Sequence, residues 1–473
     1  MSDAAARQIE RMKSVFDAQK SAFRASKARP YGERKADLEK LEAMVKEKAD
    51  AFAAAVSADY GRRSAAETQI AEIGFTLATA KHTRQKLKSW MADRSVPVPM
   101  TLAPGKAYIR REPKGVVGIV APWNYPIQLA LAPLVPALAA GCRVMIKPSE
   151  YTPRVADLLK ETLGSLYSED HVAVITGGPE VGQAFCDLPF DHLFYTGSTH
   201  VGRMVAQAAA KNLTPVTLEL GGKSPTVIAP DFDIEEAAKT IAWGKYFNAG
   251  QTCVAPDYVL TPKGSEQSLA DAIIANAGKF WPGPDSNDDY TGIVSERHYK
   301  RITDMVEEAR KGGATVLQVP SESGTGGNHH AFPPTVVLNA PADSKLMTEE
   351  IFGPVLPVLG HDGLEEAARF INERDRPLAL YVYTKSKATA QNFLDKTMSG
   401  GVGVNVPMLH LSVEDLPFGG TGASGYGAYH GEEGFRTFCH ERSVFHAPVW
   451  HPIRLMAPPY GKLFEFFKKL QAG

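Results

Sequence analysis

The sequence is short of cysteine, of long apolar runs and of surplus charge. Its four cysteines, Cys142, Cys186, Cys253 and Cys439, are scattered over 473 residues. They form no CxxC pair and no Cys/His cluster, which speaks against a zinc site or a disulfide framework, and no metal is expected. No apolar run reaches the roughly 18 residues of a membrane helix. Lys plus Arg number 52 and Asp plus Glu 53, a net charge of −1. The basic field that a nucleic-acid partner demands is therefore missing. The stretch up to Lys40 is polar and rich in Ala, Lys, Arg and Glu. It lacks the apolar stretch of a signal peptide, so a reduced, cytoplasmic protein is the expectation.

What remains is an ordinary globular composition, 44% apolar and 22% charged, in a chain too long for one core. Residues 4–92 read as helices, with Leu38, Leu41, Met44 and Val45 at helical spacing. Residues 96–112 change character: two short β-rich runs flank Pro104-Gly105, the signature of a hairpin. Such a ribbon is marginal alone and is expected to pack on another part of the protein or on a partner subunit. Strand-like runs at 115–121, 142–147, 171–176 and 192–196 then alternate with helices. From residue 224 the alternation resumes, with strands at 226–228, 258–260, 315–317 and 378–383. Apolar strands alternating with helices predict two α/β domains built on parallel sheets. Residues 320–331 read as a surface loop.

Two short runs carry chemistry. Phe247-Asn248-Ala249-Gly250-Gln251-Thr252 leads into Cys253, and Leu218-Glu219-Leu220-Gly221-Gly222-Lys223 lies upstream. A thiolate attacks carbonyl carbon well, and a carboxylate can activate water to release an acyl product. A lone cysteine is ordinarily a small buried apolar residue. Cys253, however, stands between Gly-Gln-Thr and Val rather than in an apolar core run. Glu219 alone reads equally as a solvated strand end or as a structural ion pair, for instance with Lys223.

A third run, Phe194 to Gly202, passes from a strand into a helix through Gly197-Ser198-Thr199. Gly197 permits a tight turn, and Ser198 can cap a helix whose free N–H groups suit a pyrophosphate. The spacing departs from G-x-G-x-x-G, and any strand–helix turn can carry Gly and Ser. Lys147-Pro148-Ser149-Glu150 ends the second strand, where an adenosine ribose lies in a doubly wound sheet. Lys147 and Glu150 could bond its hydroxyls. A carboxylate there repels a 2′-phosphate, so NAD is favoured, with NADP possible.

Taken together, these runs resemble the aldehyde dehydrogenase superfamily. The matching segments are 121–126 (Ala-Pro-Trp-Asn-Tyr-Pro), 147–150, 197–199, 219–223, 250–253, 349–354 (Glu-Glu-Ile-Phe-Gly-Pro) and 417–420 (Pro-Phe-Gly-Gly), in the family's order. Softer runs at 57–61, 424–431 and 458–461 resemble the class 3 branch, and within it bacterial coniferyl aldehyde dehydrogenases. The resemblance implies an aldehyde dehydrogenase-like α/β fold: a Rossmann-type cofactor domain, an α/β catalytic domain and a small β oligomerisation element. The expected division is N-terminal helices and cofactor domain at 1–95 and 113–221, and catalytic domain at 222–420. The oligomerisation hairpin and strand take 96–112 and 421–446, and a tail 447–473. A homodimer is implied.

By that resemblance Cys253 attacks the aldehyde, the Asn124 amide and the Cys253 N–H hold the oxyanion, and Glu219 activates water. Trp123, Lys147, Ser149, Glu150, Gly197, Ser198, Gly202, Leu220, Glu350 and Phe352 would serve the cofactor. Tyr125, Thr252, Val254 and Phe418 would line a substrate tunnel. His410 is a further candidate there, with a satisfied structural histidine as the alternative. An apolar, aromatic lining favours aromatic or apolar aldehydes. Long aliphatic aldehydes stay open, as do a nucleotide-free cysteine hydrolase and a CoA-acylating dehydrogenase. The tail, with Leu463, Phe464, Phe466 and Phe467 among lysines, favours docking on protein over membrane contact.

Overall fold

The structure is a computed structural model that describes residues 3–26, 29–321, 330–449, 451, 453 and 457–471. Most of the proposed surface loop at 320–331 lies outside the described residues. Two largely parallel sheets and one antiparallel ribbon organise the chain. The first sheet runs, edge to edge, through Gly425–Tyr426, Val216–Glu219, His192–Thr196, Val116–Val120, Arg143–Lys147 and Val172–Val174. Only the two-residue strand Gly425–Tyr426 is antiparallel to its neighbour. Every residue of His192–Thr196 and Arg143–Lys147 is buried. This is why these strands read as continuous apolar runs: helices cover both faces of a parallel sheet.

The second sheet has the order Thr315–Gln318, Thr335–Leu338, Val355–His361, Tyr258–Pro262, Pro225–Ile228, Ala379–Tyr383 and Gly401–Val404. It is parallel except for its edge strand Thr315–Gln318. The third sheet joins Arg94–Val96 to Lys106–Pro113 and Lys106–Pro113 to Cys439–His446, all antiparallel. The hairpin of residues 96–112 thus gains a third strand from the far end of the sequence. The segment 421–446 divides between two sheets: Gly425–Tyr426 joins the first, and Cys439–His446 joins the ribbon after the helix Gly431–Thr437.

The connection between the two large sheets positions the site. Glu219 is the last residue of a strand in the first sheet, and Pro225 is the first residue of a strand in the second. The carboxyl ends of the first sheet, at Val120, Lys147, Thr196 and Glu219, carry the sequence motifs. That is the edge where open α/β sheets bind ligands. The loops entering the second sheet, before Pro225, Tyr258 and Val355, carry Gly221, Cys253 and Glu350.

The tail ends in the helix Lys462–Gln471, on which Phe464 and Phe466 are exposed. The side chains of Leu463 and Phe467 lie outside the described residues. Among the described residues no helix is long and apolar enough to cross a membrane, and no group of His, Cys, Asp and Glu could hold a metal ion.

Gly425 tests the strand pairing that supports Glu219. Its φ is +120°, it pairs with Glu219, and a Cβ there would overlap the Leu218 carbonyl oxygen. Gly425→Ala is expected to cost about 2–4 kcal/mol by strain and lost pairing. A thermal midpoint lower by about 2–4 °C would report this. An unchanged midpoint contradicts the pairing.

Candidate active site

Cys253 sits in a turn that the backbone enters under constraint. Asn248, Ala249 and Gly250 have φ of 52°, 49° and 71°, three successive left-handed residues of which two carry side chains. Such strain persists only where surrounding bonds over-determine it, and here they do. The Asn248 N–H donates to Glu67 at 3.1 Å, and its Nδ2 donates to the carbonyls of Asn124 at 3.0 Å and Gln251 at 3.1 Å. The Gln251 side chain donates to Asn248 and Gly292 and accepts from the Val294 N–H.

Asn124 lies against this turn. Its Nδ2 donates to the Gln251 carbonyl at 3.1 Å. An amide nitrogen carries two hydrogens, and no second acceptor among the described residues takes the other. The Asn124 carbonyl accepts from Tyr60 Oη at 3.1 Å, Arg63 at 3.0 Å and Asn248 at 3.0 Å. Tyr125 and Thr252 share a hydrogen bond of 2.7 Å between hydroxyls, so the two loops meet directly.

Glu219 is 2% exposed, and neither carboxylate oxygen has a hydrogen-bond partner. Burial alone pushes its pKa well above the carboxylate range. The Cys253 thiol is pushed up to about 12, chiefly by burial and then by the charges of Glu350 and Glu219. The N–H groups of Cys253 and Val254 act in the opposite sense. Cys253, Glu219 and Glu350 thus converge on one buried space. Glu350 has an unpartnered Oε1, and its carboxyl packs against Gly221, where any Cβ would collide with it. Its pKa is raised to about 8 by burial and by Asp257.

The strand ends hold the remaining candidates. Ser198 caps the helix Thr199–Ala210 by accepting from the Val201 N–H. Gly197 stands at the bend after the strand; its φ is not left-handed, and a Cβ there would meet the Tyr195 hydroxyl. A Cβ on Gly202 would meet Leu220 Cδ2 at 2.6 Å, so these two residues pack the helix onto the sheet. Lys147 donates to the Pro148 carbonyl at 2.7 Å and lies 3.7 Å from Glu150. The Ser149 hydroxyl accepts from the Tyr151 N–H in a local turn. The Trp123 ring stands edge-on to Phe352 at 5.4 Å and to His298 at 4.9 Å.

Among the tunnel candidates, Val254 is wholly buried, with its carbonyl taking the Tyr381 hydroxyl at 2.5 Å. Phe418 pairs with Tyr429 through two backbone hydrogen bonds of 2.8 and 2.7 Å and stacks on His430 at 5.3 Å. His410 has no partner at either ring nitrogen, so it is not a satisfied structural histidine. Arg63, Glu67 and Glu72 escaped the sequence reading, and Asn248 and Tyr429, though inside its motifs, were given no role. Single residues far in sequence from Cys253, such as Arg63 and Glu72, carry no spacing signal.

A thiol with a raised pKa is mostly un-ionised near neutrality. Iodoacetamide should therefore label Cys253 in the ligand-free protein slowly at pH 7, and about tenfold faster per pH unit up to pH 9. Peptide mass spectrometry can follow this, since the other three cysteines are buried. A rate independent of pH over this range contradicts the un-ionised thiol.

Comparison with known proteins agrees with the geometry. The model of the aldehyde dehydrogenase family matches residues 1–444. A probable coniferyl aldehyde dehydrogenase of Pseudomonas aeruginosa is 43% identical, over 97% of this chain and 95% of that protein. A mouse aldehyde dehydrogenase, described as dimeric and NADP-preferring, is 38% identical, over 92% of this chain and 94% of that protein. The structure of Staphylococcus aureus AldH in a substrate-bound state superposes with a TM-score of 0.92 at 37% identity, covering 97% of this chain and 99% of that chain. The convergence of thiol, carboxylate and amide at the junction of the two sheets thus has its counterpart in whole-chain likeness, and the chain belongs to the aldehyde dehydrogenase family.

Proposed function

We propose that this enzyme oxidises an aromatic or apolar aldehyde, of the coniferyl aldehyde type, to its carboxylic acid with Cys253 as nucleophile. The observation that carries this reading is the buried meeting of the Cys253 thiol with the unpartnered Glu219 carboxyl, beside the half-committed amide of Asn124. The Cys253 thiol releases its proton to solvent, attacks the carbonyl carbon as the thiolate and forms a tetrahedral thiohemiacetal. The free hydrogen of Asn124 Nδ2 and the Cys253 N–H stabilise its oxyanion, and one such donor is typically worth about 3–4 kcal/mol in the transition state. Oxidation leaves a thioester on Cys253. Glu219 then takes a proton from water, which attacks the thioester and releases the acid. Glu219 has no contact with a donor, which suits a base waiting for water better than one already paired with the thiol.

A nicotinamide dinucleotide, when bound, supplies the two-electron acceptor. The residues fit such a group. The orphaned Oε1 of Glu350 suits a ribose hydroxyl, Lys147 and Glu150 suit the other ribose, and the capped helix start at Ser198 suits the pyrophosphate. Phe352 and Trp123 offer an aromatic wall. The Glu150 carboxylate opposes a 2′-phosphate, so NAD is the preferred cofactor, with NADP as the alternative, the preference named for the mouse relative. The proposal extends to a cytoplasmic homodimer, supported by the exposed ring of Phe445 on the outer ribbon strand and by the dimeric description of that relative. A long-chain aliphatic aldehyde is the second substrate reading.

Glu219→Gln should form NADH in a rapid first turnover and then stall, with thioester persisting, while the wild type turns over steadily. The wild-type deacylation rate should rise with pH above the usual carboxylate range, because burial keeps Glu219 protonated at lower pH. The rate in Glu219→Gln should lack that rise. Stopped-flow absorbance at 340 nm, a wavelength at which NADH absorbs, measures both. Full steady-state activity in Glu219→Gln contradicts the assignment.

A further inference from the structure

Near the Cys253 turn lie buried polar atoms with no hydrogen-bond partner among the described residues. Both ring nitrogens of His410, Nε2 of His430 and Oε2 of Glu414 are buried and without a hydrogen-bond partner. His430 is 4% exposed, and its φ is +87°, a conformation that a residue with a side chain rarely adopts. Strain and an unpaired buried ring nitrogen together point to a ligand rather than to packing.

These groups adjoin the reaction centre. The Tyr381 hydroxyl bonds the carbonyl of Val254, next to Cys253, while its ring lies 6.0 Å from His410. Tyr429 precedes His430 and lies within electrostatic reach of both Cys253 and Glu219. Burial holds both histidines neutral, His410 down to about 4 and His430 to about 3, the latter also depressed by His410. A neutral imidazole offers one N–H and one lone pair. Around the pair the walls are aromatic: Phe418 stacks on the His430 ring at 5.3 Å, and Phe75 lies 5.4 Å away.

We propose that His410 and His430 form the distal polar pocket of the substrate space and hold the hydroxyl of a hydroxylated aromatic aldehyde. A hydroxyl can donate to one imidazole and accept from the other, and its ring would lie among Phe75, Phe418 and Tyr429. The end of an aliphatic chain would leave the same nitrogens unpaired, and a site built to bond a hydroxyl discriminates against the analogue lacking it. This inference rests on the Cys253 reaction proposed above and names its substrate class.

The test compares kcat/KM of the full-length enzyme for 4-hydroxycinnamaldehyde, cinnamaldehyde and nonanal, in the wild type, His430→Phe and His410→Leu. The wild type should favour the hydroxylated aldehyde over cinnamaldehyde by at least about tenfold. That ratio should fall towards one in each variant. A wild-type ratio near one, or a ratio unchanged in both variants, overturns the pocket while leaving the Cys253 reaction standing. Failure of the wild type on all three aldehydes overturns the underlying reaction as well. If His430→Phe does not fold, as a thermal melt would show, His410→Leu carries the test alone.

Discussion

One carbonyl oxygen holds the site together. The Asn124 carbonyl accepts from Tyr60, Arg63 and Asn248, which come from the N-terminal helices and from the turn before Cys253. Arg63 has no solvent exposure at its side chain and forms an ion pair of 3.1 Å with the equally buried Glu72. Glu72 in turn accepts from the N–H groups of Ile127 and Gln128, at the start of the helix Gln128–Ala140. The guanidinium also lies 5.3 Å from the ring of Tyr60 and 4.9 Å from that of Tyr125. Breaking such a pair by removing one partner strands the other charge in the interior. The loop that carries Asn124, the proposed oxyanion donor, is therefore fixed from behind.

The same logic explains why polar groups at the centre are left unsatisfied. An unpaired buried polar atom costs about 1–3 kcal/mol. Glu219 bears this at both oxygens, whereas Glu67 and Glu72 each leave one oxygen without a hydrogen bond and bond the other to hydroxyl or N–H donors. The contrast sets Glu219, the proposed base, apart from the two carboxylates that hold the fold. Asn248 likewise spends both hydrogens of its amide nitrogen on two carbonyls, whereas Asn124 keeps one in reserve.

Much of this was legible in sequence where the signal was periodic or local. The alternation of apolar strands with helices marked both parallel sheets, and the runs around Asn124, Glu219 and Cys253 marked the centre. The second sheet was read less completely. Its strand Val355–His361 carries Pro357 in a central position, which argues against a strand on propensity grounds, and Thr335–Leu338 follows two prolines. Gly401–Val404 is half glycine, and Gly425–Tyr426 has only two residues. Tertiary pairing decides all four. The π-helical turn Gln69–Gly74, which brings Glu72 beneath the site, has no sequence signature of its own. Arg63, Asn248 and His430 owe their places to contacts across long stretches of chain.

The account stands or falls on a covalent bond to one sulfur. The most direct measurement mixes the protein with NAD and 4-hydroxycinnamaldehyde, quenches with acid within the first turnover, and maps the adduct by peptide mass spectrometry. The account predicts an acyl group on the peptide containing Cys253, absent when Cys253→Ala is used. An adduct on another residue, or product formed with no adduct and full activity in Cys253→Ala, would contradict it.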